Sequence, residues 1–252
     1  MSKVSRFKAL HAKDDVLLLG NVWDAHTASL AEKAGYEAFG TSSHAIAFSF
    51  GYADGEQISF EELLFVLKRI AAKITIPLSV DFEAGYSNDP DTVAGYVKQL
   101  TDIGIVGINL EDGQVKEEKR ILGDASLLAD KIKAIKAKTD IFINARADTY
   151  TTKAGNALEE SIRRAGIYKE AGADGIFIPL MEKQEEIKQF VGEVDLPLNV
   201  FVTPALPGIR ELASLGVKRV SHGAKQYDAL LKKAAENFER FKATGDYSII
   251  LS

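Results

Sequence analysis

Two acids, Asp81 and Glu83, stand in the stretch Pro77 to Ser87 (PLSVDFEAGYS), where a strand-like segment runs into a Gly-Tyr-Ser turn. Period-2 alternation points both carboxyls to one side of the chain. That side is no dry apolar core, because two unpaired carboxylates there carry a heavy desolvation penalty. Either a cation sits between them or they line a wet pocket.

The elements that must position this pair follow from the hydrophobic pattern. Val16 to Asp24, Ala38 to Ser43, the Pro77 stretch, Val106 to Asp112, Ile141 to Asp148, Gly175 to Leu180, Leu198 to Thr203 and Val217 to Ser221 read as eight strands. Helical patterns follow them over Ala25–Gly35, Phe60–Lys73, Asp91–Gly104, Ser126–Thr139, Ala157–Gly172, Glu182–Gly192, Gly208–Gly216 and Gln226–Thr244. His44 to Ser59 is expected as a long connection, and Gln114 to Gly123 (QVKEEKRILG) as a charged loop whose Lys116, Lys119 and Arg120 either close over an anionic substrate or, the favoured reading, are solvated. The alternation predicts an α/β fold, a parallel (β/α)8 barrel forming one domain over residues 1–252, with an open doubly wound sheet as the alternative.

In such a barrel the chemistry collects at the C-terminal ends of the strands. Those ends carry Trp23 and Asp24; Thr41, Ser42 and Ser43; Asp81 and Glu83; Asn109, Glu111 and Asp112; Asn144, Arg146 and Asp148; Asn199 and Thr203; Ser221 and His222. The opposite ends carry Pro77, Gly107, Gly175 and Pro197. Oxygen donors without thiolates suit a hard cation such as Mg2+. One arginine among the acids suits bidentate capture of a carboxylate or phosphonate. The hydroxyls and amides of Thr41 to Ser43 offer a place for a second anionic group.

Composition narrows the class. The 252 residues hold no cysteine, which excludes disulfides, thiolate metal sites and thiol nucleophiles. A net charge of −5 argues against a nucleic-acid partner. No run of 18 apolar residues suggests a membrane span, and Met1 to Lys13 lacks an apolar signal core, so a cytoplasmic protein is expected.

Six ordered blocks carry a family resemblance: NVWDAHTASLAEKAGYEAFGTSS, FGYADGE, PLSVDFEAGYS, VGINLEDG, INARADTY and RRAGIYKEAGADGIFIP. Over nearly its whole length the chain resembles the isocitrate lyase / phosphoenolpyruvate mutase superfamily. The resemblance implies a Mg2+-dependent enzyme (Mn2+ as a substitute) that makes or breaks C–C or P–C bonds beside an α-oxo or α-hydroxy carboxylate, through an enolpyruvate-type intermediate. It implies a metal site of Asp81, Glu83 and Glu111, in which Asp81 is the ligand and Glu83, Glu111 and Asp54 hold metal-bound waters. Arg146, Glu111 and Asp54 then form the catalytic set, and Trp23, Ser42, Ser43, Asn109 and Arg146 the substrate-binding set. A homodimer or homotetramer that exchanges the last helix is implied as well.

The chain also departs from that family. C–C lyases of the group carry a Lys-Lys-Cys-Gly-His loop after the fourth strand, where this sequence reads DGQVKEEKRILGD. Pro179 stands where those members have a histidine after strand six. The leading expectation is cleavage of a C–C bond in a small 2-oxo or 2-hydroxy carboxylate, decarboxylation of oxaloacetate-like acids included. The alternatives are P–C chemistry on a phosphonopyruvate-like substrate and a non-catalytic carboxylate-binding member. Among the remaining residues, Asp24 is expected to fix a turn, and His44 divides between an acid/base group and, the favoured reading, an exposed loop residue. His11 and His26 are read as structural and Tyr86 as packing over the pocket. Asp112 divides between a structural salt bridge or cap and a site role, and Asp148 between orienting Arg146 and ligating nothing.

Overall fold

The structure is a computed structural model that describes residues 2–116 and 119–251. Eight parallel strands close into a barrel: β1 (Leu17–Val22), β2 (Phe39–Thr41), β3 (Leu78–Asp81), β4 (Gly107–Glu111), β7 (Phe142–Arg146), β8 (Gly175–Phe177), β9 (Leu198–Phe201) and β10 (Arg219–Ser221). Between β4 and β7 lie two short antiparallel strands, β5 (Gly113–Lys116) and β6 (Lys119–Leu122), which pair only with each other. The surrounding helices include α2 (Ala25–Lys33), α4 (Phe60–Ala71), α5 (Pro90–Asp102), α6 (Ala125–Lys138), α7 (Ala157–Ala171), α8 (Gln184–Glu193) and α9 (Ile209–Ser214). The expected barrel is therefore the observed one.

Local chemistry starts these helices where the barrel needs them. The Asp24 carboxylate accepts from Thr27 N at 2.7 Å and caps α2 in a reciprocal box, as expected of a turn-fixing residue. Ser59 and Glu62 form the same box at α4. The α4 residues Phe60, Leu63, Leu64, Leu67 and Ile70 recur at helical spacing and are all buried in the main core.

Two segments differ from expectation, and a helix precedes the first strand. Residues Lys3–His11 form a helix, α1, in which Phe7, Leu10 and His11 lie on one face and close the floor of the barrel against Phe142, Leu17 and Val106. The His11 ring stacks on Phe142 at 4.3 Å, and burial pushes its pKa down to about 3, so it is a neutral packing group. Ser43–Ser49 form a second helix, α3, capped by Ser42, inside the stretch expected as a connection. The charged loop is the β5–β6 hairpin.

Register sets what faces the barrel axis. Asp81 pairs with Asn109, Asn109 with Asn144, and Glu111 with Arg146. Paired residues on neighbouring strands share a face, so a polar column of Asp81, Asn109, Asn144, Asn199 and Arg219 runs inside the barrel.

Candidate active site

Asp81 ends β3 and is held from three sides. Its backbone N–H donates to Thr41 Oγ1 at 2.9 Å, Ser43 Oγ donates to its Oδ2 at 2.7 Å, and Asn109 Nδ2 donates to its Oδ1 at 3.3 Å. The Asn109 side-chain oxygen in turn accepts from Asn144 Nδ2 at 2.9 Å and from Arg219 Nη2 at 3.1 Å. Arg219 is fully buried, and that burial lowers its pKa to about 9 while Asp81 opposes the shift. Asn109 therefore positions Asp81 with its amide, and it also lines the recess beside Asp81 and Arg146.

Glu83 lies two residues on, with φ at 48°, a left-handed conformation that turns its carboxyl under the rim. Only 3% exposed, it accepts from Glu56 N at 2.8 Å and from Tyr86 Oη at 3.3 Å. Burial first, then the neighbouring Glu111, Asp54 and Asp81, push its pKa up to about 9. Tyr86 packs over this carboxyl against Phe82, as expected of it.

Glu111, Arg146, Asp148 and Arg120 form a closed charged square. Arg146 Nε and Nη2 donate to Asp148 Oδ1 at 2.9 and 2.7 Å, and its Nη1 lies 2.7 Å from Glu111 Oε2. Arg120 Nη1 donates to Asp148 Oδ2 at 2.9 Å and to Glu111 Oε1. Burial works to raise the pKa of Asp148, but Arg146 and Arg120 hold it below the usual carboxylate range. Asp148 thus orients Arg146, the first of its two expected roles. Of the three loop cations, Arg120 is built into the site and departs from the favoured solvated reading; Lys119 is exposed, and the side chain of Lys116 lies outside the described set.

Asp81, Glu83, Glu111, Asp54, Arg120, Arg146, Ser42, Ser43 and His44 line one open cavity of about 270 Å3. His44 belongs to α3, stacks on Phe48 at 4.1 Å and sits 3.9 Å from Asp54 Oδ2, so the exposed-loop reading is corrected. The Ser42 hydroxyl is committed to capping α3. Trp23 is not among the residues lining this cavity; it packs edge-on against Tyr227 at 5.3 Å. The cavity continues into an uncharged wall of Phe177, Pro179, Leu180 and Phe201. Asp112 is the structural ion pair of its two readings: buried, it accepts from Arg164 Nη1 at 2.9 Å and from Tyr168 Oη at 2.5 Å.

Among the described residues, no three His, Asp or Glu side chains gather as a ready-made ligand set. Asp81, Glu83 and Glu111 thus share a cavity without closing on one point as three direct ligands. The donors nonetheless fit a hydrated hard cation, because Mg2+ keeps several waters and takes only one or two carboxylates. Asp54 Oδ1 is buried with no hydrogen-bond partner, an acceptor that a metal-bound water satisfies. A divalent charge would also relieve the mutual repulsion that raises Glu83.

A family model described as phosphoenolpyruvate phosphomutase matches residues 7–242. An uncharacterized protein of Mycobacterium tuberculosis is 37% identical over 230 residues, covering 91% of this chain and 86% of the relative. The 2-methylisocitrate lyase of Bacillus subtilis is 30% identical over 204 residues, 79% of this chain and 66% of the lyase. A crystal structure of a phosphonopyruvate hydrolase in complex with oxalate and Mg2+ superposes with a TM-score of 0.86 at 26% identity, covering 98% of this chain and 89% of the hydrolase.

Proposed function

The chain belongs to the phosphoenolpyruvate phosphomutase family, and on that premise we propose that it is a divalent-metal-dependent lyase. It acts on a small 2-oxo or 2-hydroxy carboxylate through an enolpyruvate-type intermediate and breaks a C–C bond. The observation that carries this reading is the juxtaposition, in one cavity, of Asp81 fixed by Ser43 and Asn109 with Arg146 locked by Asp148. The cation, Mg2+ or Mn2+, would be held by Asp81 through its carboxylate and by Glu83, Glu111 and Asp54 through waters. When bound, it supplies charge stabilisation to an enolate oxygen, typically worth several kcal/mol.

The protein's own groups do the rest. Arg146 binds the substrate carboxylate with a guanidinium whose orientation Asp148 and Glu111 fix in advance, which reduces the ordering cost of binding. Ser42 and Ser43 form the wall beside Asp81. The apolar face of Phe177, Pro179 and Phe201 excludes water from that side. A second reading, P–C chemistry on a phosphonopyruvate-like substrate, is favoured by the mutase family model and by the phosphonopyruvate hydrolase likeness.

Turnover assays with oxaloacetate, 2-methylisocitrate and phosphonopyruvate separate the two. We expect metal-dependent turnover of a C–C substrate, abolished by EDTA and restored by Mg2+; turnover of phosphonopyruvate alone selects the second reading, and silence on all three sinks both.

We further propose a homo-oligomer built through the last helix, α10 (Lys225–Thr244). Only Tyr227 of its 20 residues is buried, while Leu231, Phe238 and Phe241 form an exposed apolar stripe at helical spacing, Phe238 being 75% exposed. No helix among the described residues is long and apolar enough to cross a bilayer. Phe238→Ser combined with Phe241→Ser should shift the sedimentation mass from oligomer to monomer; a wild-type monomer would refute the assembly.

A further inference from the structure

Arg120 belongs to the hairpin, yet its guanidinium is part of the cavity. It sits on β6 directly opposite Val115 on β5, and its side chain is 21% exposed. The hairpin is fixed by close packing at both ends. A Cβ on Gly113 would fall 1.9 Å from Asp148 Oδ2 and 2.8 Å from Arg120 Nη1, so only glycine leaves room for that ion pair. A Cβ on Gly123 would fall 2.4 Å from the Asp112 carbonyl oxygen, and one on Gly55 would strike Val115, so the hairpin seats against the loop that carries Asp54. Arg120 is therefore presented to the cavity by a defined scaffold.

Its donors are unevenly used. Arg120 Nη1 makes both protein bonds, to Glu111 and Asp148, whereas Nε and Nη2 make none among the described residues. Three N–H groups of a permanently charged, largely buried fork are thus unpaired among the described residues, in a cavity that a small anion is proposed to enter. Arg146, by contrast, uses Nε, Nη1 and Nη2 on the same two acids. The Glu111 carboxylate touches Arg120 with one oxygen and Arg146 with the other, and Asp148 repeats the pattern. The two guanidiniums therefore stand side by side, a carboxylate's width apart, within reach of two anionic groups on one short carbon chain.

We propose that Arg120 is a specificity-determining residue that binds a second carboxylate of the substrate, so that the enzyme selects 2-oxo or 2-hydroxy dicarboxylates over monocarboxylates. This rests on the metal-and-Arg146 reading of the site and names which substrates within that class it takes. Arg146 holds the carboxylate beside the reacting carbon, and the free edge of Arg120 holds the distal one. Asp54, Asp81, Glu83, Glu111 and Asp228 face the cavity against Arg120, Arg146 and Lys225, so a divalent cation brings these charges to balance and the attraction for a dianion is local to the two guanidiniums.

The test compares three ligands by calorimetry in the presence of Mg2+: oxalate, which has no distal group; malate, with a distal carboxylate; and lactate, with a methyl there. Wild type should bind malate about 30-fold more tightly than lactate, the range expected for a charge-assisted pair. Arg120→Gln should erase that preference while holding oxalate within about threefold, since one charge-neutralised contact is replaced near, not at, the oxalate position. Arg120→Lys, which keeps the charge and loses the fork, should retain part of the preference. Oxalate binding also reports that each variant is folded. An unchanged malate preference in Arg120→Gln overturns the assignment, as does equal loss of oxalate and malate, which would make Arg120 a support for Glu111 and Asp148 only. Absence of oxalate binding in wild type instead overturns the underlying metal-and-enolate reading.

Discussion

Asp81→Asn should weaken the binding of Mg2+ and oxalate by about a thousandfold, roughly 4 kcal/mol at 1.4 kcal/mol per decade. The amide is nearly the same size as the carboxylate and can still accept from Ser43 and face Asn109. What it loses is the negative charge that a hard cation requires. Thermal stability should fall little, because the residue is only partly buried at the rim and its backbone bond to Thr41 persists. Calorimetric titration of oxalate at fixed Mg2+, alongside a melting curve, measures both quantities. Retained affinity in a folded variant would remove Asp81 from the metal site and leave the wet-pocket reading of this carboxyl pair.

The second large effect is on stability. Asp112 is fully enclosed and joins three elements: its Oδ1 accepts from Asp148 N at 2.9 Å, and its Oδ2 accepts from Arg164 and Tyr168 on α7. Arg164 Nη1 also donates to Gly123 O at 3.0 Å, which ties the end of the hairpin to the same knot. Asp112→Ala leaves a nearly buried guanidinium short of its partner and an unpaired Asp148 N–H. Breaking one side of a buried ion pair costs about 3–5 kcal/mol, and for a chain of this size that lowers the melting temperature by roughly 6–20 °C. Thermal unfolding checks it, and a drop below about 1 kcal/mol would mean that Arg164 finds full compensation in Glu160.

The alternation of strands and helices was legible because barrel strands buried on both faces read as short apolar runs between capped helices. The hairpin was not, since QVKEEKRIL offers no glycine or asparagine turn and its charges mask the period of two. The helix Ser43–Ser49 was hidden by its small and hydroxyl residues, which resemble a connection. Phe7, Leu10 and His11 carry a helical spacing, but the polar residues around them give no sign that the helix closes the barrel floor. In the site, Asp81, Glu83, Glu111 and Arg146 announce themselves by falling at strand ends. Arg120 does not, because a charge run gives no sign of which member turns inward; Gly113, flanking it in space and not in sequence, is the residue that permits it. Asn109 was visible as a strand-end residue, but its task of steadying Asp81 depends on Asn144 and Arg219, which only the closed barrel brings beside it.

Closure of the barrel also dictates the order in which the molecule can be completed. β1 has β2 on one edge, but its other partner is β10, and the latch between them joins Asn21 to His222, 201 residues apart in sequence. On that latch Asn21 Oδ1 accepts from both His222 N and Gly223 N at 2.9 Å. A nascent chain therefore carries β1 with one unpaired edge until the last barrel strand, β10, has emerged from the ribosome. Such an edge is the kind that recruits other chains. The final ring-closing step is long-range in entropy terms and arrives late, so the half-synthesised protein, not the finished one, is the form most in need of a chaperone.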